Sequence, residues 1–144
     1  MREFQNVSLL EHPNIIKPND LYINKITEHI HYVMEYVKYK SLNHYLTKNG
    51  PLPEKLVIKL LQNMLPTIDY MHNKGICHRD LTPKNILASP DFSEIKLIDF
   101  GVSKQFAHYS FKQGAHLKKS VRMFTFTGVY QYMAPEILKG EGYK

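Results

Sequence analysis

Residues 76–87 read Ile-Cys-His-Arg-Asp-Leu-Thr-Pro-Lys-Asn-Ile-Leu, and this stretch decides how the rest of the chain is interpreted. Its apolar ends enclose a polar run in which His78, Arg79 and Asp80 stand together and Asn85 follows five residues after the aspartate. Read alone, such a run fits a polar turn between a helix and a short strand. The neighbouring motifs therefore have to decide what this run does.

Two further motifs follow the polar run. The tripeptide Asp-Phe-Gly at 99–101 comes after two short apolar runs, residues 85–88 and 95–98, and Ala-Pro-Glu stands at 134–136. Between these two motifs, residues 103–127 are poor in aliphatic side chains and hold serine and threonine among basic residues. This composition is typical of a mobile loop or of a disordered linker.

In this order, the three motifs resemble the signature set of eukaryotic protein kinases, H-R-D-L-x-x-x-N, D-F-G and A-P-E. The similarity is greatest to serine/threonine kinases of the calmodulin-dependent or calcium-dependent kind, and it covers only the centre of their catalytic domain. It implies an α+β fold, a partial protein-kinase-like fold. Residues 1–34 would be a remnant of the small lobe with one helix, 35–41 the hinge, and 42–144 the start of a mainly helical large lobe with the catalytic loop and activation segment.

The apolar pattern predicts the elements around these motifs. An amphipathic helix runs to about Glu11 and is broken by His-Pro-Asn at 12–14, because proline disfavours helix in the residue before it. Residues 15–23 and 30–37 read as two strands, joined by a polar turn into a hairpin. Residues 42–48 form a short helix that ends at Asn-Gly.

A long helix is predicted from Pro53 to about Lys74, before the glycine stop at Gly75. Pro66 removes one backbone hydrogen bond and costs about 3 kcal/mol unless the helix kinks, so we expect a bend near residues 62–66. We also expect the apolar face of this helix to need cover from more than one side. The face is Leu56, Leu60, Leu61, Met64, Leu65, Ile68 and Met71.

The resemblance implies roles for the polar side chains in phosphoryl transfer, which asks a protein for positioning and for charge neutralisation. Asp80 is expected to be catalytic and to orient the attacking hydroxyl group of a serine or threonine in a protein substrate. Asn85 and Asp99 are expected to hold Mg²⁺ against the phosphates of ATP. His78 and Phe100 are expected to pack together in the apolar spine that joins the lobes.

The resemblance also implies a nucleotide site at the end of the second strand. The backbone of Glu35 and Val37 would meet the adenine edge of ATP, with Met34 as the gatekeeper and Leu87 as the apolar floor under the base. Taken alone, the same residues fit an ordinary buried strand in which a methionine fills a gap. The catalytic loop downstream favours the nucleotide site.

Four residues are expected to be regulatory. Arg79 and Lys104 resemble the basic pair that captures a phosphate on the activation loop, and Thr125 matches the usual phosphorylation position. A phosphate there would bring about −1.5 to −2 charge and order the loop, so an upstream activating kinase is an expected partner. Glu3 stands where kinases have the glutamate that pairs with a strand lysine, although an acid at a helix start is also favoured by the helix dipole.

Two positions depart from the family pattern. Serine/threonine kinases usually carry lysine two residues after the catalytic aspartate and threonine before Ala-Pro-Glu, and here the residues are Thr82 and Val129. In the family these side chains contact each other and the aspartate, so a cation and a hydroxyl are lost from one small site. Losing one charged contact costs about 2 to 4 kcal/mol by analogy with an oxyanion donor. Lys84 is a candidate catalytic residue that would supply the missing charge.

Composition bounds the remaining possibilities. The 144 residues, 43% of them hydrophobic, are enough for one core. The net charge of +6 is scattered, which indicates a solvated face rather than a nucleic-acid surface. There is one cysteine, and no apolar run reaches the roughly 20 residues that span a bilayer. We therefore expect an intracellular, cytoplasmic protein with no nucleic-acid partner and no membrane insertion.

Three functions stay open. The first is an ATP- and magnesium-dependent serine/threonine kinase of which this chain is a piece, with the glycine-rich loop and the strand lysine expected upstream of Met1. The second is a pseudokinase that binds nucleotide or partners without catalysis, favoured by Thr82 and Val129. The third is a truncated gene product without activity.

Overall fold

The computed structural model describes residues 2–105 and 128–141. Secondary structure alternates between short strands and helices, with one long helix near the middle. Its helices are α1 (Arg2–Ser8), α2 (Leu42–Asn49), α3 (Glu54–Asn73) and α4 (Pro135–Leu138), with a 3₁₀ helix at Tyr130–Tyr132. Its strands are β1 (Pro18–Ile23), β2 (Ile30–Met34), β3 (Lys40–Ser41), β4 (Ile76–Cys77), β5 (Ile86–Ala88), β6 (Ile95–Leu97) and β7 (Lys104–Gln105).

The predicted hairpin is present, although both strands are shorter than expected. Strands β1 and β2 pair antiparallel, with Ile23 opposite Ile30. The turn is closed by Asn24, whose backbone N–H donates to the carbonyl of His29 at 2.9 Å and whose side-chain oxygen accepts from the N–H of Ile26 at 2.9 Å. This side-chain turn lets the chain reverse without a glycine.

A second sheet has the strand order β3-β5-β6, all antiparallel. The chain before the hairpin joins its edge: the N–H of Leu97 donates to Asn14 at 2.8 Å, and the N–H of Ile16 donates to Leu97 at 3.0 Å. The start of the predicted strand 15–23 is therefore committed to this sheet, and β1 begins only at Pro18. The sheet thus ties the segment before the hairpin to β5 and β6, the two strands that precede the Asp-Phe-Gly motif.

Both predicted large-lobe helices form. Helix α2 begins after Ser41, whose hydroxyl accepts the N–H of His44 at 3.2 Å, and it ends at Gly50 with φ 78°, where glycine carries no steric cost. Helix α3 continues through Pro66. The bend expected near residues 62–66 stays a prediction.

The predicted buried face of α3 is partly wrong. Met64 and Met71 are buried, but Leu61 and Leu65 are 46% and 61% exposed. At 100° per residue these two leucines lie about 60° and 100° around the helix axis from Met64, outside the sector that packs on the sheet. The exposed leucines also show that the apolar face of α3 is wider than the part of it that is buried.

The core lies between α1, α3 and the β5-β6 strands. It also receives two aromatic rings, Phe92 from the turn after β5 and Phe100 from the Asp-Phe-Gly motif. The buried apolar residues are Val7, Leu10, Ile15, Ile16, Leu42, Met64, Met71, Ile76, Ile86, Phe92, Ile95, Leu97 and Phe100.

Candidate active site

The loop between β4 and β5 holds Asp80 through the side chain of Asn85. The Asn85 amide nitrogen donates to the Asp80 backbone carbonyl at 2.9 Å and to its carboxylate oxygen Oδ2 at 2.8 Å. The loop is closed by two backbone bonds of 3.0 Å, from Thr82 to Asp80 and from Asn85 to Thr82. One amide therefore fixes both the backbone and the side chain of the predicted catalytic aspartate.

The second carboxylate oxygen of Asp80, Oδ1, is buried and has no hydrogen-bond partner among residues 2–105 and 128–141. Gly128 lies beside it: a Cβ added there would stand 3.7 Å from Oδ1 and 2.9 Å from the Arg79 carbonyl oxygen. The neighbour in sequence is Val129, which has no hydroxyl to offer. Among the described residues, no group of the chain satisfies Oδ1.

His78 supports the loop from behind. Its ring nitrogen Nδ1 accepts the N–H of Asp80 at 3.3 Å, so Nε2 carries the proton and donates to the carbonyl of Ile98 at 3.1 Å. The ring packs against Phe100 with centroids 4.8 Å apart, as predicted. Burial lowers the pKa of His78 and outweighs the opposing effects of the Ile98 hydrogen bond and of the Asp80 and Asp99 charges, so the ring is neutral at pH 7.

The two predicted magnesium ligands are brought together by the backbone. The N–H of Ile98, the residue before Asp99, donates to the carbonyl of Asn85 at 2.9 Å. Asp99 adopts φ 63°, an uncommon backbone conformation for a residue other than glycine, and its Oδ1 accepts the N–H of Gly101 at 3.1 Å. The Asn85 side-chain nitrogen donates both of its hydrogen bonds to Asp80. The side-chain oxygen of Asn85 accepts no hydrogen bond from any residue in the described ranges.

This donor set fits Mg²⁺. Carboxylate and amide oxygens are the ligands that a hard cation takes, and the buried, unpartnered Oδ1 of Asp80 is an oxygen that a cation or a hydroxyl group would satisfy. Asn85 and Asp99 are the residues that would hold the ion. Bound there with ATP, it would supply charge neutralisation to the phosphates.

Arg79 ties the loop to the segment after Asp-Phe-Gly. It adopts φ 69°, and its Nε donates to the carbonyl of Val102 at 2.6 Å, while its Nη1 is buried without a partner in the described part of the chain. Lys104 lies in β7, directly opposite Cys77 in β4. Arg79 and Lys104, the predicted phosphate-binding pair, therefore lie on neighbouring segments. Nη1 of Arg79 is not bonded to any residue in the described ranges.

The hinge residue Glu35 is held by its own side chain, which the sequence did not indicate. Its carboxylate accepts the N–H of Lys17 at 2.8 Å and Nζ of Lys96 at 2.5 Å, and its backbone N–H donates to the carbonyl of Lys17 at 2.9 Å. Partial burial acts to raise the pKa of Glu35, but the hydrogen bonds from Lys96 and Lys17 outweigh it and hold the pKa below its ordinary value. Of the polar groups of Glu35, the backbone carbonyl takes no part in this network within the described residues. It is the group that the predicted contact with the adenine edge would use.

The other predicted nucleotide contacts surround this point. Met34 ends β2 and is exposed, and Val37, three residues further on, is half-buried against the core. Leu87 lies in β5, half-buried, opposite Lys96 in the register of β5 and β6. The Glu35–Lys96 ion pair therefore reaches β6, the strand that pairs with the one carrying Leu87.

One predicted site residue, Lys84, is not brought into this geometry, and two others lie outside the described side chains. Lys84 is exposed, and its side chain makes no hydrogen bond or ion pair with any residue that the structure describes. Glu3 lies in α1, but its side chain is not among those described, and Thr125 lies outside the described residues. Their roles stay predictions.

The sequence also missed contacts that only the fold creates. Asn6 in α1 donates to Ser103, and Lys96 reaches Glu35, across separations of 97 and 61 residues. No periodic pattern joins residues that far apart. The residues one helical turn before Asn6 are Arg2 and Glu3, so nothing in the local pattern of α1 marks Asn6 as a buried contact.

Comparison with known proteins agrees with this geometry. The sequence profile of the protein kinase domain matches residues 1–144. Similar proteins include CBL-interacting serine/threonine-protein kinase 16 of Arabidopsis thaliana, 32% identical over 99% of this chain and 29% of its own length. Sperm motility kinase 3A of Mus musculus is 33% identical over 98% of this chain and 25% of its own length. Serine/threonine-protein kinase cds1 of Schizosaccharomyces pombe is 34% identical over 97% of this chain and 28% of its own length. The chain spans less than a third of each relative.

Proposed function

Because this chain belongs to the protein kinase family, we propose that it is the central part of a serine/threonine kinase that transfers a phosphoryl group from ATP to a protein hydroxyl. The observation that carries the proposal is the Asn85 amide bonded to both the carbonyl and Oδ2 of Asp80. A carboxylate locked in one rotamer, with its second oxygen unpartnered, is what a positioned general base requires.

In this proposal Asp80 accepts the proton of the substrate hydroxyl through Oδ1 as the oxygen attacks. The bonds from Asn85 prevent rotation of the carboxylate, so the enzyme does not have to reorganise it during the reaction. His78 holds the backbone of Asp80 and stays neutral, which keeps a second proton donor away from the base. Mg²⁺ would be held by Asn85 and Asp99.

ATP would place its adenine against the hinge. The free carbonyl of Glu35 and the backbone of Val37 are suited to the polar edge of the base, with Met34 and Leu87 on its apolar faces. The apolar side chains and fixed backbone groups are the usual lining of such a pocket. The partner molecules are then ATP and a protein with a serine or threonine, without nucleic acid.

Regulation is proposed at the segment after Asp-Phe-Gly. Arg79 keeps a buried donor at Nη1, and Lys104 stands on the adjacent strand, so both could pair with a phosphate placed on Thr125 by an upstream kinase. Glu3 would form an ion pair with a lysine, and that ion pair would depend on the position of α1.

We propose a cytoplasmic location. Within the described residues, no helix has the length and apolar character needed to cross a membrane.

A second function, a nucleotide-binding pseudokinase, is favoured by one observation. In the described ranges no cation forms an ion pair with the Asp80 carboxylate, and Lys84, the candidate for that charge, is exposed and makes no ion pair. The charge that kinases place beside the transferred phosphate is thus not assembled around Asp80. Magnesium-dependent nucleotide binding without transfer is the outcome that distinguishes this function.

The test is phosphate transfer to a serine/threonine peptide library with Mg-ATP, comparing the protein with Asp80→Asn. We expect the rate of transfer to fall by about 100-fold or more in the variant. Asparagine has nearly the same shape as aspartate and can still accept a hydrogen bond from Asn85, but it cannot accept the proton. Asp69→Asn, a change at an exposed carboxylate on α3, is the matched control and should leave transfer unchanged. Transfer that is equal in Asp80→Asn and in the unchanged protein would sink the proposal.

A further inference from the structure

Helix α1 is joined to the segment after Asp99 by a single amide side chain. The Asn6 amide nitrogen donates to the backbone carbonyl of Ser103 at 3.1 Å and to its hydroxyl at 2.9 Å. Asn6 is partly buried, and the next residue of α1, Val7, and Leu10 just past the end of the helix are buried and apolar. An amide in such a position lowers stability unless its polar atoms are bonded, so the contact with Ser103 is what makes asparagine suitable here.

Ser103 passes the contact on toward the Asp-Phe-Gly motif. It is only 9% exposed, and its hydroxyl donates to the carbonyl of Phe100 at 2.6 Å while accepting from Asn6. Its backbone N–H donates to the same carbonyl at 2.9 Å. A continuous hydrogen-bond chain thus runs from α1 through Ser103 to Phe100, the residue after Asp99.

The backbone at Asp99 needs such support. Its φ of 63° is strained for a residue with a side chain, and a conformation of this kind persists only where the surroundings fix it. Arg79 fixes Val102 and Asn6 fixes Ser103, so two consecutive residues are anchored from two different elements. Either anchor alone leaves part of the segment free to relax.

We propose that Asn6 is a positioning residue for the magnesium site: its carboxamide holds Ser103 and, through Phe100, keeps the backbone at Asp99 in the conformation that presents the carboxylate. This inference rests on the proposed nucleotide and magnesium site. In this inference the position of α1 is coupled to the backbone conformation at Asp99, the proposed metal ligand. A change in α1 would therefore alter affinity for the phosphates rather than for the base.

The test compares Asn6→Leu, which keeps the approximate shape but removes the donor, with Gln5→Leu, the same type of change at the exposed neighbour on α1. Dissociation constants are measured for Mg-ADP and for adenosine, which occupies only the hinge part of the site. We expect Asn6→Leu to weaken Mg-ADP by about 3-fold to 10-fold, the value of one or two hydrogen bonds, with adenosine within about 2-fold. Gln5→Leu should change neither.

A second measurement follows amide hydrogen exchange in peptides covering residues 98–105. Asn6→Leu and Ser103→Ala should each raise exchange there, and the double variant should raise it by less than the product of the two, because both remove one link. Equal weakening of Mg-ADP and adenosine, or exchange no faster than in Gln5→Leu, would overturn the positioning role. Failure of the unchanged protein to bind Mg-ADP counts against the proposed function instead, and the exchange comparison then decides on Asn6 alone.

Discussion

The catalytic loop and the hinge are held by different forces. Around Asp80 the contacts are hydrogen bonds between mostly buried groups, including His78, which is 2% exposed. At the hinge the contact is an ion pair between Glu35 and Lys96, whose side chains stay 30% and 21% exposed. Buried hydrogen bonds are insensitive to salt, whereas a pair open to water is screened and contributes little. The comparison indicates that the loop around Asp80 is held more rigidly than the segment at Glu35.

The largest expected effect concerns the buried support of the catalytic loop. His78→Ala removes two hydrogen bonds and the packing against Phe100, so we expect the free energy of unfolding to fall by about 3 kcal/mol. Urea denaturation measures this value. The control is His44→Ala, at an exposed position on α2, which should stay within about 0.5 kcal/mol. Similar losses in the two variants would show that the loop is not specially held.

The next effect tests the close contact behind Asp80. Gly128→Ala places a Cβ 2.9 Å from the Arg79 carbonyl and forces φ 112° on an alanine, for which we expect a loss of about 2 kcal/mol. Gly50→Ala is the matched control because φ is 78° there but no atom lies within 4 Å, so its loss should be about 1 kcal/mol. The difference between the two losses in unfolding free energy measures the cost of the close contact with the Arg79 carbonyl. Equal losses would mean that Gly128 is needed for its backbone alone.

A smaller effect is expected at the hinge. In a double-mutant cycle of Glu35→Gln and Lys96→Met, the coupling energy should be about 1 kcal/mol or less at low salt, because both side chains are partly solvated. Raising the salt concentration should reduce it further. A coupling of several kcal/mol that salt does not change would place the hinge in the same class as the catalytic loop and remove the contrast.

The smallest effect is a difference in pH dependence. The folded pKa of His78 lies below its ordinary value of 6.5, so the unfolded chain binds more protons and stability falls as the pH drops below 6.5. The folded pKa of Glu35 lies below its ordinary value of 4.5, so its contribution is present above pH 4.5 and is lost only as the pH falls further. Stability curves of His78→Gln and Glu35→Gln, each compared with the unchanged protein between pH 8 and pH 3 as the proposed test range, should therefore separate in two different windows. Coinciding windows would contradict the assignment of these groups.

The local pattern of the sequence was sufficient for the elements that pair with near neighbours. The β1-β2 hairpin and the helices α2 and α3 lie within a few residues of their predicted places. The bonds inside the loop also follow from its spacing, because Asn85 is only five residues from Asp80.

Contacts between distant segments could not be predicted in this way. Residues 15 and 16 read as the beginning of a strand of the hairpin, but they pair with Leu97 of β6 instead. Leu61 and Leu65 fit the helix period, yet no element covers their side of α3 in the described ranges. Periodicity shows which side chains are apolar, and only the folded chain shows which of them find a partner.

The link between Asn6 and Ser103 has a consequence for how the chain is made. The two residues are 97 positions apart, so α1 leaves the ribosome long before its partner exists. At a synthesis rate of about 5 to 20 residues per second, the nascent helix waits roughly 5 to 20 s with its amide and its apolar side unpaired. A helix of 7 residues is not stable alone in water over that time. The order of synthesis therefore leaves α1 among the last elements to settle, and it exposes α1 to chaperones until Ser103 has been synthesised.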